Sequence, residues 1–151
     1  MTQLSSKCIT KLGSWDELEQ DAKQIRKAVF VIEQQIPEQE EWDAQDALSL
    51  HFVVYVPDQH LNLVQPIATA RLLKNNSIGR VAVLKQYRGQ GVGCLIMQKV
   101  IEQAKIEQRE YVKLSSQVHA VAFYESLGFV KEGEVYLDCG IPHIDMYMNI
   151  K

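Results

Sequence analysis

The stretch RVAVLKQYRGQGVGC (Arg80–Cys94) joins a β-rich run to a turn that holds three glycines within five positions. Beyond this turn, apolar residues recur at helical spacing from Gly91 to about Gln108, which predicts an amphipathic helix. The first turn of a helix presents unpaired N–H groups and a partial positive charge, and glycines let a ligand approach the backbone closely. Because Arg88 adds a cation, the turn is expected to bind a phosphate or a pyrophosphate.

Three known phosphate-binding patterns compete for this turn. A P-loop requires Lys followed by Ser or Thr after its last glycine, but Cys94 and Leu95 stand there. A dinucleotide fingerprint, G-x-G-x-x-G, has Cys94 in place of its third glycine, and the chain lacks the strand–helix alternation of such folds. The remaining pattern, R-x-x-G-x-G, spans Arg88–Gly93 and is one that binds the pyrophosphate of coenzyme A.

The rest of the chain predicts a mixed α/β fold in one domain, residues 1–151. Ser14 and Glu17 have the spacing of a capping box, so a helix is expected to begin there and to run to about Phe30 or beyond. A second helix, VHAVAFYESLG, is expected to end at Gly128. Seven β-rich runs predict strands: SKCITKL, HFVVYVP, PIATARLLK, SIGRVAVL, YVKLSS, FVKEGEVYL and HIDMYMNI. The second, third and fourth strands have short connections, a turn at DQHLNL and a hairpin turn at NNS, so the sheet is expected not to be purely parallel.

Composition excludes several classes of partner. The 151 residues carry a formal net charge of −3, so no nucleic-acid footprint is expected. No apolar run approaches the roughly 20 residues of a membrane span, and the first residues lack the apolar core of a secretory signal. Three well-separated cysteines favour a reducing compartment over a disulfide framework, so a cytoplasmic location is expected.

The segment IGRVAVLKQYRGQGVGCLIMQKVIEQA resembles the strand, pyrophosphate loop and helix of the GNAT superfamily of N-acetyltransferases. The later segment HAVAFYESLGFV is similar to the second signature of that family. VFVIEQQIP, EWDAQD, ATARLL and GIPHIDM are similar to its ElaA/YjcF-like branch. The resemblance implies a central mixed, mostly antiparallel, twisted sheet that is splayed between its fourth and fifth strands and flanked by helices.

The resemblance also implies acetyl-CoA as co-substrate, no metal, and a set of site residues. The pantetheine arm would pair with the backbone of Val81 and Val83, and the Val83 N–H would face the acetyl oxygen. Tyr124 would protonate the departing thiolate, since a phenol with a pKa near 10 is protonated at neutral pH. Gln117 stands where many relatives carry an Asn that touches the arm. The cofactor loop would comprise Arg88, Gly89, Gln90, Gly91, Val92 and Gly93.

The proton acceptor for the attacking amine is left open by the sequence, and a water chain is one alternative. His143 lies in the turn GIPH, and an imidazole suits proton relay near neutral pH. Glu33 follows the first helix, where the family builds its amine pocket. Asp43 and Asp46 lie in an acidic loop that would attract a cationic amine if it lined the pocket, and otherwise is a solvated face. Glu134 and Asp138 complete the candidates.

Three further residues have both structural and functional interpretations. Arg71 in ATARLL is either an outward arginine or an orienting group near the site. Cys94 could support an acyl-cysteine intermediate, but a small buried hydrophobe is favoured. Cys139 and His143 have C-x₃-H spacing, which falls short of a four-ligand zinc site.

The sequence therefore predicts an acetyl-CoA-dependent N-acetyltransferase that acts by direct transfer on a small-molecule primary amine. A non-catalytic CoA-binding sensor and a protein lysine or N-terminal acetyltransferase are the alternatives. The insertion from Ile36 to Leu50 would cover a peptide groove, which favours a small substrate. The chain is expected to be a monomer or a homodimer.

Overall fold

A computed structural model describes residues 4–58, 60 and 63–151. The strands are β1 (Ile9–Gly13), β2 (Leu50–Asp58), β3 (Leu63–Leu72), β4 (Ser77–Val83), β5 (Tyr111–Gln117), β6 (Val130–Asp138) and β7 (Ile141–Asn149). They form one seven-stranded sheet in the order β1-β2-β3-β4-β5-β7-β6. Every pairing is antiparallel except that of β4 with β5, which confirms the predicted mixed, mostly antiparallel sheet.

Within the described part of the chain, four α-helices flank the sheet: α1 (Trp15–Arg26), α2 (Glu38–Glu41), α3 (Val92–Ile106) and α4 (Val121–Ser126). Ser14 caps α1 with the predicted capping box, because its side chain accepts from the Glu17 N–H while the Glu17 carboxylate accepts from the Ser14 N–H at 3.0 Å. Gly128 has a φ of 107° and its N–H donates to the Glu125 carbonyl, so the predicted stop after α4 is also confirmed.

The chain after α1 continues as a π-helical segment, Lys27–Glu33, in agreement with the prediction that the first helix extends to Phe30 or beyond. The first strand is shorter than expected, since Leu4–Lys7 forms a 3₁₀ turn ahead of it. The turn predicted at DQHLNL includes residues 59, 61 and 62, which lie outside the described residues.

The sheet separates two apolar layers. α3 packs on one face through Ile96, Met97 and Val100, against strand residues such as Phe52 and Met146. α1 packs on the other face, where its apolar side chains meet Val53, Tyr55 and Ala82. α1 therefore covers β2 to β4 on its own face, and none of the buried residues of this second layer comes from β5, β6 or β7.

The sheet opens between its two parallel strands. β4 and β5 are in register only at Ser77 with Lys113 and at Ile78 with Leu114. β4 then runs on to Val83 and β5 to Gln117 without further pairing between them. This confirms the splay predicted between the fourth and fifth strands, and it leaves main-chain polar groups of β4 facing a gap.

Among the described residues, no helix is both long enough and apolar enough to cross a membrane.

Candidate functional site

The glycine turn leads directly into the N-terminus of α3. Gly89 has a φ of 74° and Gly91 a φ of 85°, a region that side chains other than glycine rarely occupy. Gly91 is the N-cap, and no side chain caps the helix. The first helical bond runs from the Leu95 N–H to the Gly91 carbonyl at 3.0 Å, so the N–H groups of 92–94 have no acceptor within the helix. These donors and the helix dipole suit an anion.

Gly93 serves a different purpose from the two glycines before it. A Cβ at this position would lie 3.3 Å from Cζ of Phe123 and 3.9 Å from Cγ2 of Val83. Because Gly93 has no side chain, the start of α3 can lie close to both α4 and β4. The glycine turn therefore lies beside the open end of the sheet.

Val83 points its main-chain polar groups into the gap. The Leu84 N–H donates to the Ile67 carbonyl at 2.9 Å, on the β3 side of β4. Because successive N–H groups of a strand point in opposite directions, the N–H and carbonyl of Val83 face away from β3. Nε of Arg88 donates to that carbonyl at 2.9 Å, and the Val83 N–H remains directed at the gap.

A β-bulge precedes this position. The β3–β4 register shifts between Thr69 and Arg71, and Arg80 has a φ of 51°. A bulge of this kind bends its strand and increases the local twist. A non-glycine residue there carries a strain of about 1–2 kcal/mol, so its surroundings must hold it in place.

Arg88 and Glu33, which the sequence assigned to different parts of the site, are partners. The guanidinium donates to both carboxylate oxygens of Glu33, at 2.7 and 2.8 Å. The hydrogen bond from Arg88 lowers the pKa of Glu33, and this favours the ionised carboxylate. The pair connects the end of the π-helical segment to the carbonyl of Val83, so it closes one side of the gap.

Tyr124 lies on α4 between aromatic neighbours. Its ring centroid is 5.1 Å from that of Phe123 and 6.0 Å from that of Phe129, both edge-on. Burial raises the pKa of Tyr124 to about 12. The hydroxyl therefore stays protonated at neutral pH, so it has a proton to donate.

Gln117 ends β5 and makes a reciprocal amide pair across the gap. Its Nε2 donates to Oε1 of Gln34 at 2.9 Å, and Nε2 of Gln34 donates back to Oε1 of Gln117 at 3.4 Å. Gln34 directly follows the π-helical segment. The pair thus joins the α1 side of the molecule to the strand beyond the gap.

Asp43, Asp46 and Arg71 do come together, in a set of ion pairs that we call the arginine cluster. Its members are Arg26, Glu41, Asp43, Asp46, Arg71 and Arg80. Arg71 donates to Asp43 at 2.7 Å and to Asp46 at 2.8 Å and is buried, so it is not an outward, solvated arginine.

Arg26 is the centre of this cluster and is only 1% exposed. It donates to Glu41 at 2.8 Å and to Asp46 at 2.7 Å, and its guanidinium lies between the rings of Trp15 and Trp42, 5.4 and 5.2 Å from their centroids. Charged side chains therefore hold the insertion on the sheet, and Ile36 at its start packs against the second apolar layer.

The pKa values of two carboxyl groups in the cluster are shifted in opposite directions. The hydrogen bond from Arg71 lowers the pKa of Asp43 to about 2. Burial raises the pKa of Glu41, and the neighbouring arginines only partly offset that effect. Arg80 donates to Glu41 at 3.0 Å and to Asp43 at 3.3 Å, so the same cluster restrains the bulge of β4.

His143 lies on β7 with a defined hydrogen bond. Its Nδ1 is 2.7 Å from the Ile141 carbonyl, and its ring stacks against Tyr136 at 6.1 Å between centroids. Tyr136 donates to Asp145 at 2.7 Å and is also hydrogen-bonded to Ser115.

The other candidates from the last hairpin are at the surface. Glu134 and Asp138 are exposed on β6. Cys139, in the turn, donates to Glu40 at 3.1 Å, and this contact, then burial and the nearby Asp138, raise the pKa of the thiol to about 11. Cys94 is half-buried on α3.

Sequence reasoning missed several residues of this region: Arg26, Gln34, Glu41, Arg80, Ser115, Tyr136 and Asp145. Arg26 carried a signal, since it lies on the apolar face of α1 between Ala22 and Phe30, where a charge needs a partner. The others carried none, because their partners are distant in the chain.

The comparisons with known proteins agree with this geometry. The family model for the acetyltransferase (GNAT) domain matches residues 17–150. The chain is 35% identical over 135 residues to the uncharacterized N-acetyltransferase YjcF of Bacillus subtilis, covering 87% of this chain and 92% of YjcF. It is 37% identical over 131 residues to the protein ElaA of Escherichia coli, covering 82% of each.

Solved structures lead to the same family. The crystal structure of Escherichia coli ElaA superposes with a TM-score of 0.82 at 32% identity, covering 94% of this chain and 99% of that one. A Bacillus anthracis acetyltransferase solved in complex with acetyl coenzyme A has a TM-score of 0.56 at 26% identity, covering 68% and 63%.

A splayed mixed sheet with a glycine turn at the start of α3 defines an acyltransferase of the N-acetyltransferase type. The chain belongs to the GNAT acetyltransferase family, and its relatives confirm the predicted ElaA/YjcF-like branch.

Proposed function

We propose that this enzyme transfers the acetyl group of acetyl-CoA directly to a primary amine of a small molecule, within a ternary complex. One observation carries the proposal: the unpaired N–H groups at the start of α3 and the Val83 N–H at the gap belong to one continuous stretch of chain. An anion-binding helix start lies next to an open strand edge, as a diphosphate joined to an extended arm requires.

The cofactor would bind mainly through the backbone. The diphosphate would lie on the amides from Gly89 to Gly93, and the arm would pair with β4 at Val81 and Val83 in the manner of an added strand. Gln117, across the gap, would bound the arm on the other side. The acetyl-CoA complex of the Bacillus anthracis relative supports this cofactor.

The Val83 N–H would stabilise the oxyanion that forms when the amine attacks the thioester carbonyl. The C–N bond forms, the C–S bond breaks, and the thiolate takes a proton from the Tyr124 hydroxyl. The Tyr124 phenolate then takes up the proton that the new amide nitrogen must lose, and the phenol is restored. Burial raises the pKa of Tyr124 to about 12, so the hydroxyl carries its proton before the reaction.

The arginine cluster is proposed to shape the amine pocket rather than to bind the amine. Asp43 and Asp46 accept from arginines, and Glu33 is held by Arg88. A carboxylate already paired with a guanidinium is a weak base and a weak anchor for a second cation. Arg71 contributes by holding the insertion over the gap, which favours a small acceptor over a peptide.

The test combines a binding assay with a rate assay. CoA should raise the melting temperature, since a ligand at 100 times its Kd stabilises a protein by about 2.7 kcal/mol. A panel of primary amines with acetyl-CoA and detection of free thiol should identify an acceptor. Tyr124→Phe should lower kcat by about 10²–10⁴-fold and leave CoA stabilisation unchanged.

Tyr111→Phe is the matched control, because Tyr111 lies at the exposed start of β5, away from the gap. A protein that CoA stabilises but that turns over no amine would be a sensor and not an enzyme. A protein that is indifferent to CoA would refute the proposal entirely.

A further inference from the structure

A polar surface beside the gap contributes only Gln117 to the function proposed above. Side chains of β5, β6 and β7 form it on the face that α1 covers only over β2 to β4. Ile144 and Met146 of β7 point to the α3 face of the sheet. Because side chains alternate along a strand, His143 and Asp145 point to the opposite face, the one on which α1 lies. We call this surface the polar shelf. Its members are Ser115, Gln117, Tyr136, His143 and Asp145.

The shelf adjoins the gap in the sheet. Gln117 and His143 are direct partners between β5 and β7, and His143 and Tyr136 are direct partners between β7 and β6. β5 borders the gap, so His143 lies one strand further away, about 5 Å. An acceptor amine that enters from the α1 face passes within reach of its side chain.

The hydrogen bond at Nδ1 decides which nitrogen of His143 is basic. A carbonyl oxygen can only accept, so Nδ1 must carry the hydrogen that it shares with Ile141 at 2.7 Å. In the neutral ring, Nε2 then holds the lone pair. No residue within the described part of the chain forms a hydrogen bond with Nε2.

The ring of Tyr136 stacks against the imidazole of His143. The single hydroxyl proton of Tyr136 goes to Oδ1 of Asp145 at 2.7 Å, so the Ser115 hydroxyl must donate to the Tyr136 oxygen. The phenol is thereby fixed to three strands at once, with its ring plane 24° from that of His143. A ring held in this way keeps the imidazole oriented for proton transfer.

We infer that His143 accepts the proton of the acceptor ammonium through Nε2, and that Tyr136, with Ser115 and Asp145, is its positioning residue. The ammonium gives one proton to the imidazole, which becomes an imidazolium. The neutral amine then attacks the thioester, and the imidazolium later releases its proton to solvent. This inference rests on the proposed acetyl transfer.

The charged groups near His143 on the last hairpin and on α2 are carboxylates. Asp145 lies two residues along the same face of β7, and Glu132 on β6 is the direct partner of Asp145. Asp138 ends β6 near the turn, and Glu40 of α2 reaches that turn through Cys139. Tyr136 on β6 and the β5 residues Ser115 and Gln117 are neutral, as is Gln34 beside Gln117.

The first test reads the tautomer without any substrate. Long-range proton–nitrogen NMR spectra of the imidazole should show a hydrogen on Nδ1 and a bare Nε2 in His143. Tyr136→Phe keeps the aromatic ring but frees it from Ser115 and Asp145, and it should broaden the His143 signals. A neutral imidazole that carries its hydrogen on Nε2 in the wild type would overturn the inference at once.

The second test uses two probes, the best alkyl amine of the panel and hydroxylamine, which is already neutral at neutral pH. His143→Gln should lower kcat/KM for the alkyl amine by about 10²-fold, remove the acid limb of its pH profile and spare hydroxylamine. Tyr136→Phe should cost roughly 10-fold, mainly in kcat. His60→Gln and Tyr111→Phe are the matched controls.

The role of His143 and the acetyl transfer itself would fail with different experimental results. If CoA binds and the wild type acetylates the amine while His143→Gln keeps the full pH profile, the role of His143 is wrong and acetyl transfer stands. Equal losses with both probes would also contradict proton removal by His143, since a structural defect affects them alike. If the wild type neither binds CoA nor turns over, the proposed function itself has failed.

Discussion

The two sides of the gap in the sheet are built in different ways. The proposed cofactor side, residues 81–93, is one continuous stretch whose polar groups at the gap are main-chain N–H groups at a helix start and a strand edge. The proposed acceptor side is assembled from α1, the insertion after it, β5 and the last hairpin, and its polar groups are side chains. Backbone donors depend on local conformation, whereas the side-chain set depends on partners far along the chain.

This difference has a consequence for stability. A substitution on the cofactor side should affect ligand binding through conformation, with a modest cost in folding. A substitution of a buried member of the arginine cluster, such as Arg26, should affect folding strongly, because it leaves buried charges without partners.

The largest effect is expected from Arg26→Met. Removing one partner of a buried ion pair costs about 3–5 kcal/mol, since Glu41 and Asp46 would keep their charges without this arginine. Urea unfolding should show the loss, and CoA should still stabilise the folded protein.

Lys27→Ala is the control for Arg26→Met, because Lys27 is the next residue and its 3.7 Å pair with Glu38 is exposed. It should cost about 0–1 kcal/mol. Similar losses from both substitutions would mean that the arginine cluster does not hold the acceptor side together.

The next prediction separates a loss of CoA binding from the cost of backbone strain at a glycine with positive φ. Gly89 and Gly133 have φ values of 74° and 79°, and a Cβ at either would meet no atom within 4 Å. Alanine at each should therefore destabilise the fold by about 1–2 kcal/mol. Only Gly89→Ala should also weaken CoA binding, by roughly 10-fold. Calorimetry with CoA measures this, and equal CoA affinity in the two variants would argue against a diphosphate at the turn.

A smaller effect concerns acid stability. The pKa of Asp43 is lowered to about 2 in the folded protein, against about 3.9 in an unfolded chain. The ionised group thus adds stability that is present above about pH 4 and is lost as the pH falls toward 2. Asp43→Asn should flatten this part of the stability profile.

Asp43 is 37% exposed, so solvent screening limits its contribution to about 1 kcal/mol. Glu41 acts with the opposite sign, since a carboxyl whose pKa is raised destabilises the fold once the pH exceeds its ordinary value. Thermal melts across this pH range measure the difference between the wild type and Asp43→Asn. An unchanged slope in the variant would show that Arg71 does not stabilise the ionised form.

The smallest effect is expected at the boundary of the two sides. Glu33→Gln removes the exposed pair with Arg88 and should change stability by less than about 1 kcal/mol. Since the lowered pKa makes Glu33 a poor base at neutral pH, the rate should stay within about threefold. A loss of 10²-fold or more in kcat would instead identify Glu33 as the proton acceptor.

The sequence was most informative where local rules apply. The capping box at Ser14, the stop at Gly128 and the helix that follows Gly91 were each predicted from a few neighbouring residues and are confirmed. The π-helical winding after Arg26 and the bulge at Arg80 were not predicted. Both depend on contacts with other parts of the chain and leave no local pattern.

The amino-acid sequence by itself determined the order of elements, the splayed sheet, the glycine turn and membership in the acetyltransferase family. Only the tertiary structure decided that Asp43, Asp46 and Arg71 form a cluster of ion pairs, that Glu33 pairs with Arg88, and that Tyr136 stacks against His143. The physical reason is the separation along the chain between the residues that interact. Backbone conformation follows from adjacent residues, whereas the partner of a charged or aromatic side chain is known only when distant strands are brought together.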